Sequence, residues 1–132
     1  MNKNFLEISA EVRYWEDTSV NGVEDVDGAL IPMRVGKWWK PVINLKNGQI
    51  QNWPDGVVAN VHYKVCDQGE YWILDDTGQR ILKYKSDYAP DDYLSQIDCG
   101  YGDYIILEVD GKGFLKDWIE PLFKDEVWVK VI

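Results

Sequence analysis

Residues 57–85, VVANVHYKVCDQGEYWILDDTGQRILKYK, decide the fold. Val57, Ala59, Val61, Tyr63 and Val65 fall on one face of an extended chain, and Val58, Asn60, His62, Lys64 and Cys66 on the other. That period of two marks a strand with one buried face. Asp67-Gln68-Gly69 reads as a tight turn into Tyr71-Trp72-Ile73-Leu74, and Asp75-Asp76-Thr77-Gly78 as a second turn into Arg80-Ile81-Leu82-Lys83-Tyr84. Asp supplies local hydrogen bonds and Gly a positive φ, which tight turns need. The expectation is three consecutive antiparallel strands at the centre of the fold.

Working outward, Leu6, Ile8, Ala10, Val12 and Tyr14 alternate with Glu7, Ser9, Glu11, Arg13 and Trp15, so residues 5–15 predict the clearest half-buried strand. Residues 16–28, EDTSVNGVEDVDG, hold five acidic side chains and an Asn21-Gly22 turn signal, and read as an exposed loop or hairpin tip. Residues 29–34 suit a short edge strand because Pro32 lacks a ladder donor. Residues 37–53 predict a hairpin turning at Asn47-Gly48. Residues 86–103 are rich in Asp, Tyr, Gly and Pro. A long irregular connection is preferred there over a single helical turn at Asp91-Asp92 after Pro90. Strands are expected again at 104–109, 114–119 and 127–132. The chain therefore reads as one all-β domain, a mainly antiparallel meander closing into a small barrel or sandwich with room for one short helix.

A chain of 132 residues with seven Trp, eight Tyr and three Phe can bury a single core without staples. The start of the sequence lacks a signal-like apolar run, and no stretch approaches the roughly 18 apolar residues of a membrane span. A soluble, cytoplasmic protein is expected. Two cysteines, no CxxC and one histidine argue against a disulfide framework or a structural zinc.

Charge carries more information. Fourteen basic against 23 acidic side chains give −9, distributed unevenly: residues 1–35 hold −4, 36–65 hold +3, 66–111 hold −8 and 112–132 are neutral. Direct nucleic-acid binding is disfavoured because phosphate neutralisation needs clustered Lys and Arg. A partner protein with a basic surface, including one that itself binds nucleic acid, is the expected complement. The acidic candidates are Glu16, Asp17, Glu24, Asp25 and Asp27 in the first segment and Asp87, Asp91, Asp92, Asp98 and Asp103 in the second.

Other constellations read as architecture. His62 and Cys66 share a strand face but lie about 13 Å apart along the backbone, too far for an activated nucleophile. Cys99 sits among carboxylates, which raise a thiol pKa. Glu24-Asp25-Val26-Asp27-Gly28 lacks the further oxygen ligands of an EF-hand loop, so an acidic turn is preferred over a metal site. Asp75-Asp76 and Asp91-Asp92 are adjacent, whereas glycosidase carboxylates oppose each other across a cleft. No base and nucleophile pair emerges, and neither an enzyme nor a cofactor is expected. Trp38 and Trp39 cannot both face inward on a regular strand, so one is expected in solvent beside Lys37 and Lys40, an anchor for a protein or a sugar ring.

The strings EVRYWEDTSVNGVEDVDG, NGQIQNWPDG, VHYKVCDQGEYWILDDTG and GYGDYII resemble a family of short proteins encoded by bacteriophages and prophages of Gram-negative bacteria. The likeness runs from about Ile8 to Trp118, with residues 124–132 a C-terminal extension. No activity or catalytic residue comes with the resemblance. It implies a context of host-takeover and anti-defence proteins, including anti-CRISPR inhibitors that occupy a host protein's nucleic-acid-binding surface. The alternative expectation is a carbohydrate-binding or virion-associated module using Trp38 or Trp39.

Overall fold

A computed structural model describes residues 3–17, 36–64, 70–84, 105–118, 120, 123 and 128–131, with the backbone alone at 16, 17, 63, 64 and 105. Eight strands are formed: β1 (Phe5–Asp17), β2 (Trp38–Trp39), β3 (Val42–Asn44), β4 (Ala59–Lys64), β5 (Glu70–Leu74), β6 (Arg80–Tyr84), β7 (Ile105–Val109) and β8 (Trp128–Lys130). All pairings are antiparallel, and no helix occurs among the described residues. The all-β reading holds. The edge strand expected at 29–34 and the helical turn at 91–92 lie outside the described residues.

The organising element is β1. From Phe5 to Val12 it has neighbours on both edges: Leu6 lies between Ile43 and Ile73, and Glu11 between Trp38 and Lys64. Thirteen residues span about 43 Å when extended, long enough to template two shorter strands end to end. Strands β2 and β3 do this on one edge. They keep a single register against β1, interrupted at Lys40-Pro41, where the Pro41 carbonyl still accepts the Ile8 N–H at 3.1 Å.

Strands β4 and β5 do the same on the other edge, which corrects the expected meander. Lys64 pairs with Glu11 and Glu70 with Ser9, both antiparallel to β1. β5 therefore runs in the same direction as β4 along β1 instead of pairing with it as a hairpin, while Asp67-Gln68-Gly69 lie outside the described residues. Asp and Gly permit a turn but do not dictate its sense, and the long apolar face of β1 supplies the stronger template. The second turn is a hairpin as expected. The Oδ1 of Asp75 accepts the Thr77 and Gln79 N–H groups at 2.9 and 3.0 Å, and Gly78 takes φ 87°.

The ladder order is β7-β4-β1-β5-β6-β8, with β2 and β3 on the remaining edge of β1. The named strands do not close into a barrel. Instead, single bridges link Val109 to Leu115, Phe114 to Gln49 and Ile50 to Ile43, tying the β7 side back to the β3 hairpin. The return strand expected at 114–119 shrinks to Phe114-Leu115, because Asp117 adopts φ 56° and redirects the chain. Leu6, Ile8, Ala10, Val12, Trp15, Ile43, Val61, Tyr71, Ile73 and Leu107 fill the core. Each large aliphatic side chain buried there contributes about 1.5–3 kcal/mol. A bulge between Val12 and Tyr14 shifts the phase of β1, so that Trp15 points inward after the exposed Arg13.

Candidate functional site

The basic run of the sequence builds one edge of the molecule. The Asn47-Gly48 hairpin forms as expected: Asn44 N–H donates to Gln49 O and Gln51 N–H to Val42 O, both at 2.8 Å, while Gly48 takes φ 75°. Asn52, at φ 58°, then turns the returning arm away from the strand. Trp53 follows.

Strand alternation separates the two adjacent tryptophans. Trp39 pairs with the buried Ala10 and packs half-buried against the core, whereas Trp38 pairs with Glu11 on the outer face and is 51% exposed. The rings of Trp39 and Trp53 lie 6.2 Å apart at 42° and form two walls of an open cleft of ≈210 Å³, also lined by Lys40, Pro41, Gln51 and Asn52. Trp53 is held from behind. Its Nε1–H donates to Val57 O at 2.8 Å, and Gly113 packs beneath it. Lys37, Lys40 and Lys46 are exposed along the same edge. Aromatic walls, side-chain amides and an ammonium equip the cleft for recognition, and it contains no nucleophile paired with a base.

The other clusters are engaged in structure. Trp72 is flanked by the Arg80 guanidinium at 4.4 Å and the Lys83 ammonium at 5.1 Å, and its Nε1–H donates to Glu70 at 3.0 Å. Arg80 also donates to Glu7 through Nε and Nη2 at 2.8 and 2.5 Å. Asp75 is a turn residue. The Thr77 hydroxyl hydrogen bond at 2.6 Å and the N–H groups of Gln79, Thr77 and Gly78 hold its carboxyl below the usual range, outweighing the opposing effect of burial. His62 meets Tyr14 edge-on at 5.1 Å, while Cys66 and Cys99 lie outside the described residues.

Of the acidic candidates, Glu16 and Asp17 end β1, their backbones paired with Asn60 and Ala59. Glu24, Asp25, Asp27, Asp87, Asp91, Asp92, Asp98 and Asp103 lie outside the described residues. The described residues that next follow those segments are Gly36 and Ile105. Gly36, nine residues past Asp27, donates to Val12 O at 2.7 Å; Val12 pairs with Tyr63, and Tyr63 with Ile105, two residues past Asp103. Gly36 and Ile105 thus lie on one cross-strand row, about 14 Å apart at three strand spacings. The sequence offered no sign of this, because the row joins residues from four distant parts of the chain.

No grouping of three or more His, Cys, Asp or Glu side chains suited to a metal occurs among the described residues. Among the described residues there is no helix long and apolar enough to cross a membrane. No family model matches the sequence, and no curated protein or solved structure matches it either. Trp53, Gln51 and Asn52 were not singled out by sequence reasoning. Their signal was Trp-Pro directly after a hairpin, which sends an aromatic side chain off the sheet edge.

Proposed function

We propose that this chain is a non-enzymatic binding protein that covers a basic, nucleic-acid-binding surface of a host protein, as anti-defence inhibitors carried by bacteriophages do. The observation that supports this most is the shared row. A chain of net charge −9 concentrates its negative charge in two segments, and the described residues that next follow them, Gly36 and Ile105, share one row with Val12 and Tyr63. Clustered negative charge steers a basic partner into contact and repels other acidic proteins. The test is a pull-down of the tagged protein from bacterial host lysate at low and high salt. Recovery of a nucleic-acid-binding protein at low salt, lost at high salt and lost on combining Glu24→Gln, Asp25→Asn and Asp27→Asn, supports the reading. A blank at both salts overturns it.

A carbohydrate-binding or virion-associated module is the second reading, favoured by the exposed Trp38 and the Trp39–Trp53 cleft. Sugar rings stack on indole faces through apolar contact, so this binding resists salt and is lost in Trp38→Ala or Trp53→Ala. A glycan screen at low and high salt separates the two readings.

A further inference from the structure

We propose that the outer edge of the Trp38–Lys40 run accepts an extended acidic segment of another protein chain as an added β-strand, with the Trp39–Trp53 cleft taking one of its side chains. This goes beyond the acidic-face reading and concerns the opposite charge, carried by Lys37, Lys40 and Lys46.

The backbone sets the argument. Ile8 N–H donates to Pro41 O and Val12 N–H to Lys37 O, so the odd-numbered residues of this run aim their polar groups at β1. By the alternation of an antiparallel ladder, Trp38 and Lys40 aim theirs away from it. Val42, next in the same phase, shows what covers such groups further along: its carbonyl accepts Gln51 N–H at 2.8 Å. The covering arm stops there because Asn52, at φ 58°, turns it aside. The outward groups of Trp38 and Lys40 carry no hydrogen-bond partner among the described residues. Pro41 does not block this edge, since its ring nitrogen faces β1.

Charge selects the occupant. Unpaired edges invite any extended chain, and lysines on an edge repel basic strands and discourage neutral ones. Lys37, Lys40 and Lys46 are exposed here, on the single stretch of the chain with net positive charge. An acidic strand is the one class that those lysines attract. Strand addition draws affinity from main-chain hydrogen bonds and specificity from pockets for alternate side chains. The cleft beside Lys40 supplies such a pocket, with Trp39 and Trp53 as its walls.

The probe is a capped heptapeptide, Val-Glu-Val-Glu-Phe-Glu-Val, titrated into the full chain while amide signals are followed by NMR. Expected are saturable binding, at least about tenfold slower hydrogen exchange at Trp38 and Lys40, and about tenfold weaker binding by Lys37→Glu plus Lys40→Glu or by the peptide with Lys for Glu. N-methylating one alternate set of peptide amides abolishes binding, and methylating the other set leaves it intact. No binding up to about 1 mM peptide overturns the proposal. So does equal binding of the acidic and basic peptides, indifference to both methylation patterns, or a dimer of the free chain that Lys40→Glu dissociates. Combining Glu24→Gln, Asp25→Asn and Asp27→Asn leaves peptide binding unchanged, so this proposal and the acidic-face reading fail separately.

Discussion

Gly113 seats Trp53: a Cβ added to Gly113 would stand 2.7 Å from the Trp53 Cβ, and the glycine itself holds φ 89°. The turn after β7 thereby fixes one wall of a cleft formed some sixty residues earlier in the chain. Gly113→Ala combines a left-handed backbone with overpacking and is expected to cost about 2–4 kcal/mol. Urea denaturation checks the stability. The Trp39–Trp53 contact should loosen as well, visible as altered near-ultraviolet circular dichroism at denaturant concentrations where the protein is still folded.

The two adjacent tryptophans should separate by role. Trp38→Ala removes a side chain that is 51% exposed and is expected to change stability by less than about 0.5 kcal/mol while weakening any ligand of this edge. Trp39→Ala opens a gap against the core and should cost about 2 kcal/mol or more. Comparable losses from both substitutions would contradict their placement on opposite faces.

Glu7 and Arg80 bridge β1 to β6 across β5, with the Arg80 side chain 39% exposed and Glu7 14%. Solvent screening limits such a pair, so a double-mutant cycle using Glu7→Gln and Arg80→Lys is expected to give a coupling of about 0.5–1 kcal/mol. Coupling should shrink in high salt only to the extent that Arg80 is exposed.

The Tyr71 hydroxyl is buried with no hydrogen-bond partner among the described residues. Burial, followed by the neighbouring Tyr84, pushes its pKa far above that of a free tyrosine. Tyr71→Phe is therefore expected to be neutral or stabilising by up to about 1 kcal/mol. The folded state favours the neutral phenol, so stability is retained below the unfolded pKa near 10 and is lost as pH rises above it. Alkaline unfolding should begin at higher pH in Tyr71→Phe.

Asp75 has the opposite sign. Its carboxyl is held below the usual value of 3.8, so its contribution is present above that pH and disappears as pH falls through the lowered folded value. Asp75→Asn keeps an acceptor for Thr77 and Gln79 but cannot titrate. Thermal melts between about pH 5 and pH 2 should show a shallower acid loss in Asp75→Asn than in the parent chain.

Much of the strand pattern was legible because it is local. Alternation over residues 5–15 placed β1, and Asn47-Gly48 and Asp75–Gly78 placed two hairpins, since these signals depend on neighbours a few residues away. The expected return strand at 114–119 failed at Asp117, whose left-handed conformation no local pattern announced. The cleft was only half legible. Adjacent Trp38 and Trp39 required one exposed ring, but pairing with Trp53 depends on where Asn52 turns the arm.

By itself, then, the sequence determined an all-β chain with one long amphipathic strand, its short-range hairpins, and a charge distribution that sets one basic stretch against two acidic ones. Those properties follow from periodicity, turn chemistry and composition, which need no knowledge of distant neighbours. Tertiary structure alone decided that β4 and β5 lie end to end along β1 rather than as a hairpin, because a turn signal permits reversal but only the partner strand's edge selects it. The same packing decided that Trp38 faces solvent and Trp39 the core, since register against Ala10 and Glu11 assigns each side chain its face.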